Sequence, residues 1–204
     1  MCGIAGIIDF GKNVEVDENM LCQMAQALQF RGPDQEGYCF QNNSNFSFGL
    51  AHKRLSILDL SEAGRQPMWN ADKNCVIAFN GEIYNFPSLK TRLEKEGATF
   101  KSSSDTEVIL VAYEFWGIEK TLQELEGMFA FTLVDIEKQT VFIVRDRFGE
   151  KPLYYHSKNK FFAFSSDIRS FHTLGISREI DLHALGYFFS EMTTPINSSI
   201  YSEI

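Results

Sequence analysis

The segment Gly3–Asp9, apolar through Ile8, begins almost at the first residue, and it limits the fold more than any other segment. Chain termini usually fray because nothing ties them down. A run of this composition so early reads as a buried strand, with the N-terminus held inside the molecule. The rest of the chain supplies layers around it. Asp17 can cap a helix whose apolar residues Leu21, Met24, Ala25 and Leu28 fall at i, i+3, i+4 and i+7. That helix stops before the breaker cluster Arg31-Gly32-Pro33-Asp34. Residues 46–52 and 75–79 are strand-like, separated by a polar loop containing Gly64 and Pro67. Helical patterns return at 87–96 and 105–116, the latter with Val108, Ile109, Ala112 and Trp116 on one face. Phe129, Phe131 and Leu133 alternate with Ala130, Thr132 and Val134 in a strand, and 140–144 makes its hairpin partner. A short strand at 161–164 and a helix at 182–192 complete the pattern. Strands and helices interleave along the chain, which predicts layered sheets covered by helices. Residues 193–204 show no closing turn and end on an apolar pattern without an evident partner. They read as the start of a connection leading out of a domain that spans 1–192.

Charge and composition exclude several classes. With 27 acidic against 19 basic residues the net charge is −8, which disfavours unspecific nucleic-acid or anionic-membrane binding. No apolar run approaches the ~18 residues that cross a bilayer. Cys2, Cys22, Cys39 and Cys75 are too widely spaced for a zinc or thioredoxin pattern, and no secretory signal precedes them. Free thiols in a reducing cytoplasm are therefore expected. Phosphate loops, dinucleotide fingerprints, nucleophile elbows and zincin motifs are all missing. The four histidines are scattered along the chain, with no metal-ligand spacing.

What remains for chemistry is Cys2 at the head of the first strand. It is either a small buried apolar residue or a nucleophile. A thiol needs a base at neutral pH, and no histidine is placed for the task. If Met1 is removed, the α-amine of Cys2, with an ordinary pKa of about 7.7–8.0, is itself that base. Asn80-Gly81, directly after a strand, is either a hairpin turn or an amide and an N–H that cradle an oxyanion. Arg54 makes either a surface ion pair or a bidentate clamp on a carboxylate. Asp105, in Ser104-Asp105-Thr106-Glu107, either caps its helix or, with Glu82, receives an ammonium group. A thiol nucleophile, an oxyanion hole, a carboxylate clamp and an ammonium acceptor together suit an α-amino acid with a scissile side-chain amide. Glutamine is the obvious one.

These residues lie in a longer set of blocks. In order they are Met1-Cys2-Gly3-Ile4-Ala5-Gly6, Arg31-Gly32-Pro33-Asp34, Ala51-His52-Lys53-Arg54-Leu55-Ser56-Ile57-Leu58-Asp59, residues 80–85, Ser104-Asp105-Thr106-Glu107, Gly127-Met128-Phe129-Ala130-Phe131 and residues 145–155. With them the chain resembles the glutaminase domain of asparagine synthetases, a class II glutamine amidotransferase. The resemblance implies an α+β fold, the four-layer αββα sandwich of N-terminal-nucleophile hydrolases. It implies Cys2 as nucleophile, Asn80 and Gly81 as oxyanion hole, and Arg54, Leu55, Ser56, Ile57, Leu58, Glu82 and Asp105 as glutamine-binding positions. It implies L-glutamine as substrate and ammonia as product, passed to a C-terminal or separate synthetase domain. No metal and no cofactor are expected in the glutaminase domain; ATP and magnesium belong to the synthetase domain, which these residues do not include. A homodimer is among the assemblies the resemblance allows. Residues 145–155 are assigned to packing and domain contact, since nothing in them suits amide hydrolysis. The rival from another class is a non-catalytic docking or regulatory module that keeps the fold.

Overall fold

A computed structural model describes every residue except 44, 57 and 60. In chain order the elements are β1 (Gly3–Asp9), α1 (Glu18–Gln26), β2 (Gln35–Asn42), β3 (Ser47–Arg54), β4 (Met68–Trp69) and β5 (Cys75–Ile83). Then come α2 (Phe86–Lys95), α3 (Asp105–Glu124), β6 (Gly127–Asp135), β7 (Thr140–Arg145), β8 (Tyr154–Lys158), β9 (Phe161–Ser165) and α4 (Leu182–Glu191). Short 3₁₀ turns occupy Glu62–Gly64 and Ile168–Leu174.

The early apolar run forms the middle strand of a five-stranded antiparallel sheet ordered β2-β3-β1-β9-β8. β3 pairs along its whole length, from Gly3↔Lys53 to Asp9↔Ser47, and β9 covers its other edge. All seven residues are buried, so the N-terminus is tied down from both sides. A second sheet, β4-β5-β6-β7, lies against the first.

The two-residue period of the strands sorts side chains between layers. Phe129, Phe131 and Leu133 of β6, with Ile77, Phe79 and Ile83 of β5, face α2 and α3 and meet Leu89, Leu93, Val108 and Ile109. Ala130 and Val134, with Val76 and Ala78, face the other sheet and meet Ile4, Ile8, Phe48 and Leu50. On the far side of the first sheet, Ala5, Ile7 and Ala51 pack on Leu21, Met24 and Ala25 of α1. The order of layers is helices, sheet, sheet, helix: the αββα sandwich. Each fully buried Phe or Leu in these interfaces contributes about 1.5–3 kcal/mol.

Local signals act as read. The Asp17 carboxylate accepts from Met20 N at 2.8 Å and starts α1. Gly117 adopts φ +75°, which breaks α3 after Trp116, and a second helical segment then runs on to Glu124. Other expectations need correction. Asn80-Gly81 is no hairpin turn; β5 continues to Ile83, pairing Asn80↔Ala130, Gly81↔Phe129 and Glu82↔Met128. Strand β2 and the two-residue β4 were not expected, nor was β8. They are short or only half-buried strands, without the apolar run that marks a central one. The C-terminal residues also have partners: Tyr201 bridges Ile180, Asp181 N donates to Ile200 O at 3.0 Å, and Ile204 packs beside Phe171 and Ile176. Among the described residues no helix is long and apolar enough to cross a membrane.

Candidate active site

Cys2 sits just before β1, on the same parity as Ile4, where the two sheets part. A cavity of about 230 Å³ opens there, lined by Cys2, Arg54, Leu55, Leu58, Asn80, Gly81, Glu82 and Asp105, and also by Gln66, Met128 and Lys151. It is smaller than the ~300 Å³ that sets the lower bound for drug-sized ligands, which suits a small metabolite. The chain brings these groups together from β1, the end of β3, the edge of β5, the start of α3 and the loop after β7.

The thiol is held by one backbone residue. Cys2 Sγ accepts from Leu55 N at 3.4 Å and lies 3.6 Å from Leu55 O. Burial pushes the Cys2 pKa above its ordinary 9.0 and outweighs the Leu55 N–H, the N-terminus and Arg54, all of which act to lower it. The thiol is therefore protonated at neutral pH and needs a base. None of the four histidines lines the cavity. His52 is buried, donates Nε2–H to Phe79 O at 2.9 Å, and burial lowers its pKa to about 4. The Arg31-Gly32-Pro33-Asp34 block props the nucleophile from behind: Arg31 Nε donates to Cys2 O at 3.2 Å, and Asp34 Oδ2 accepts from Ser56 N at 2.7 Å.

Donors for an oxyanion come from the edge of β5. Asn80 is 1% exposed, and its Nδ2 is buried without a hydrogen-bond partner among the described residues. A buried amide left unpaired costs about 1–3 kcal/mol, which a ligand oxygen can recover. In the antiparallel ladder, backbone groups alternate between facing one neighbour and facing away. Phe129 turns its carbonyl to Asp146 N (2.8 Å), and its partner Gly81 faces away from β6. Phe79 and Ile83, two residues to either side, do the same, donating N–H to Gln66 Oε1 at 2.7 Å and Asp105 Oδ2 at 3.1 Å. The Gly81 N–H points along the same edge, into the cavity. Glycine is required there: a Cβ would lie 2.4 Å from Met128 O.

Two charged side chains close the ends. Asp105 is 4% exposed, and burial raises its pKa from 3.8 to about 6 against the lowering effect of the Ile83 and Thr106 N–H groups. It is not the helix cap, because Ser104 holds that position and accepts from Thr106 N at 3.2 Å. Arg54 is buried, not a surface ion pair. Its Nη1 donates to Gln35 Oε1 at 2.7 Å and to Ser61 O at 3.4 Å; its Nη2 donates to Leu58 O at 3.2 Å and to Asp59 O. The guanidinium thus holds the loop after β3 through neutral acceptors, and a Cβ on Gly64 would lie 2.4 Å from Nη2. Ser56 does not line the cavity. Ile57 lies outside the described residues.

The largest departure from the sequence reading is Lys151. The block around residue 145 was assigned to packing, yet Lys151 lines the cavity with Cys2. Its position follows from a tight loop wound on Asp146, whose carboxylate accepts from Phe148, Glu150 and Lys151 N–H at 3.0–3.1 Å. Burial works against the charged Asp146, but these amides outweigh it and hold its pKa below the ordinary value. Arg145 clamps the same loop through Nε to Lys151 O at 2.7 Å. A short charged run wound round a carboxylate carries no periodic signal, so only the three-dimensional fold shows where residue 151 points.

The glutamine amidotransferase domain model matches residues 1–204. The glutamine-hydrolyzing asparagine synthetase 2 of Bacillus subtilis is 43% identical over 83% of this chain and 22% of its own length. The glutamine-hydrolyzing asparagine synthetase 1 of the same organism is 36% identical over 100% of this chain and 32% of its own length. The chain thus spans a third or less of these two curated relatives. Among solved structures, the glutamine phosphoribosylpyrophosphate amidotransferase of Bacillus subtilis superposes with a TM-score of 0.69 at 20% identity, covering 85% of this chain and 44% of that one. That likeness is one of fold.

Proposed function

Because the chain belongs to the glutamine amidotransferase domain family, we propose that it hydrolyses the side-chain amide of L-glutamine to glutamate and ammonia at Cys2. The observation that carries this reading is the unpartnered Asn80 Nδ2, set beside the Gly81 N–H in the cavity that Cys2 opens into. Two donors that share a cavity with a nucleophile have their use when a carbonyl oxygen gains charge.

The chemistry follows from the geometry. With Met1 removed, the α-amine of Cys2 takes the thiol proton, which the buried thiol does not release unaided. Sγ attacks the amide carbon, and Asn80 Nδ2 and Gly81 N hold the oxyanion. The protonated amine returns its proton to the departing nitrogen, so ammonia leaves and a γ-glutamyl thioester remains on Sγ. The same amine then deprotonates a water molecule, which attacks the thioester; glutamate departs and the thiol is restored. Asp105 and Glu82 receive the substrate ammonium. Arg54 takes the α-carboxylate, exchanging neutral loop carbonyls for charged oxygens, a stronger acceptor for a guanidinium. Leu55 and Leu58 form the wall on that side, with Leu55 holding the thiol.

The reading extends beyond this domain. Ammonia has use only where an acceptor is activated, and the two Bacillus subtilis relatives are more than three times as long as the matched segment. We place 1–192 as the glutaminase domain and 193–204 as the approach to a synthetase domain that consumes the ammonia. Leu182, Phe189, Met192 and Ile196 on and after α4 are 75–92% exposed, an apolar surface that such a domain would cover. The test is ammonia release from glutamine. The parent protein should release it, and Cys2→Ala should lose at least about a thousandfold, since only binding and oxyanion stabilisation remain. A folded parent that releases none at any pH is instead the non-catalytic docking module.

A further inference from the structure

Lys151 is 6% exposed, and the contacts of its Nζ are two thioether sulfurs, Met128 Sδ at 3.1 Å and Met1 Sδ at 3.6 Å. Among the described residues it makes no ion pair, which is unusual for a buried lysine. A core lysine with no other duty would be replaced by an apolar side chain at a gain in stability. The loop wound on Asp146 and clamped by Arg145 fixes this cation against residue 1. Once Met1 is gone, Nζ loses one of these neighbours and lines the same cavity as Cys2, whose amine is newly freed.

We propose that Lys151 is a positioning residue for the base of the reaction: its ammonium, held in the cavity that Cys2 lines, keeps the Cys2 α-amine neutral at working pH. This rests on the reading of that amine as the base. A protonated amine beside a second cation is disfavoured, so its pKa falls and a larger fraction is available to accept the thiol proton. Such a shift moves the base toward the operating pH, where it is most effective. The other charged groups around the amine are Arg31 on the Cys2 carbonyl, Arg54 on the loop, and the carboxylates of Glu82 and Asp105 across the cavity. The two carboxylates favour the protonated amine, but they do so alike in the parent and the Lys151 variants and cancel in the comparison. Arg31 donates to Cys2 O and Arg54 to loop carbonyls, whereas Lys151 Nζ meets thioethers and, among the described residues, no oxygen acceptor.

The experiment compares pH profiles of kcat/KM for glutamine hydrolysis in the parent, Lys151→Met and Lys151→Arg. Methionine keeps the length and suits a thioether environment, so the fold should survive; circular dichroism checks this. The acidic limb reports the amine together with Asp105, which is common to the three proteins, so a shift between them reports the amine. In Lys151→Met it should move up by about one pH unit, the effect of one neighbouring charge, and Lys151→Arg should restore it. A second readout needs no turnover: the pH dependence of cyanate modification of the Cys2 amine, read by peptide mass mapping, should shift by the same amount. An acidic limb and a labelling profile that stay in place in folded Lys151→Met overturn the proposal, as does Lys151→Arg matching Lys151→Met. If no protein hydrolyses glutamine but the labelling profile still moves, the proposal for Lys151 holds and the glutaminase reading fails.

Discussion

Replacing Asp105 with asparagine should make the empty domain more stable and a poorer binder of glutamine. Burial raises the Asp105 pKa from 3.8 to about 6, so at neutral pH the native state carries an ionised carboxylate that it would rather protonate. Each pH unit corresponds to about 1.4 kcal/mol, which puts the cost near 3 kcal/mol. The sign follows from linkage: between pH 3.8 and about 6 the native state binds a proton that the unfolded chain has lost, so stability falls as pH rises. His52 acts the other way over nearly the same range. Burial lowers its pKa from 6.5 to about 4, so its contribution is lost as pH falls through that interval. Comparing parent with Asp105→Asn cancels the histidine, which both proteins carry. The difference in unfolding free energy, measured by urea titration, should be close to zero at pH 4 and grow to about 2–3 kcal/mol in favour of the variant above pH 7. Asparagine keeps an oxygen for Ile83 N, so the start of α3 should hold. The variant loses the charge that meets the substrate ammonium, worth about 1.5–3 kcal/mol, so KM for glutamine should rise at least about tenfold. Equal stability of the two proteins at pH 4 and pH 8, with an unchanged KM, would refute the role given to Asp105.

Asn80→Ala should lower kcat by about a hundred- to a thousandfold with little change in KM, since the donor acts on charge that develops in the transition state; steady-state kinetics with the fold verified decides this, and a change confined to KM would speak against an oxyanion hole. Arg54→Lys should raise KM much more than it lowers kcat, because lysine keeps the charge but not the paired donors that hold the loop and match a carboxylate; unchanged kinetics would leave Arg54 a purely structural group. Gly81→Ala should lower thermal stability as well as activity, because its methyl would meet the β6 backbone; a thermal melt like the parent's would show that the strands can part without cost.

Much of this architecture was legible in the sequence, for physical reasons that differ by segment. The segment 3–8 is apolar on every residue because both its faces are covered, by the second sheet and by α1. The alternation at 129–134 is visible because one face meets large helix residues and the other a close-packed sheet interface. Edge strands such as β2 and β8 were not legible, since a half-exposed strand mixes polar and apolar residues with no regular period. At the site, Cys2, Asn80, Gly81, Glu82 and Asp105 are gathered as the residue types suggested. The Asn-Gly pair was ambiguous because the same dipeptide serves a turn or a strand edge, and only the β6 register decides between them. Arg54 was foreseen as a clamp, but its hold on the loop carbonyls depends on how the chain returns after β3. Lys151 and Gln66 were missed because each reaches the cavity from a non-periodic loop, that of Lys151 wound on the nearby Asp146 and Gln66 held by Thr106 far away in sequence.

The central claim, that Cys2 attacks glutamine with its own freed amine as base, is met most directly by intact-mass analysis of protein quenched in acid during turnover. The active chain should begin at Cys2 and carry a γ-glutamyl adduct that peptide mapping places on the Cys2 sulfur. A folded protein with a blocking N-terminal extension should show no adduct and a loss of activity of about a hundred- to ten-thousandfold, the contribution of a positioned base. An extended protein that forms the adduct and hydrolyses glutamine at the parent rate would contradict the account, because some other group would then be activating the thiol.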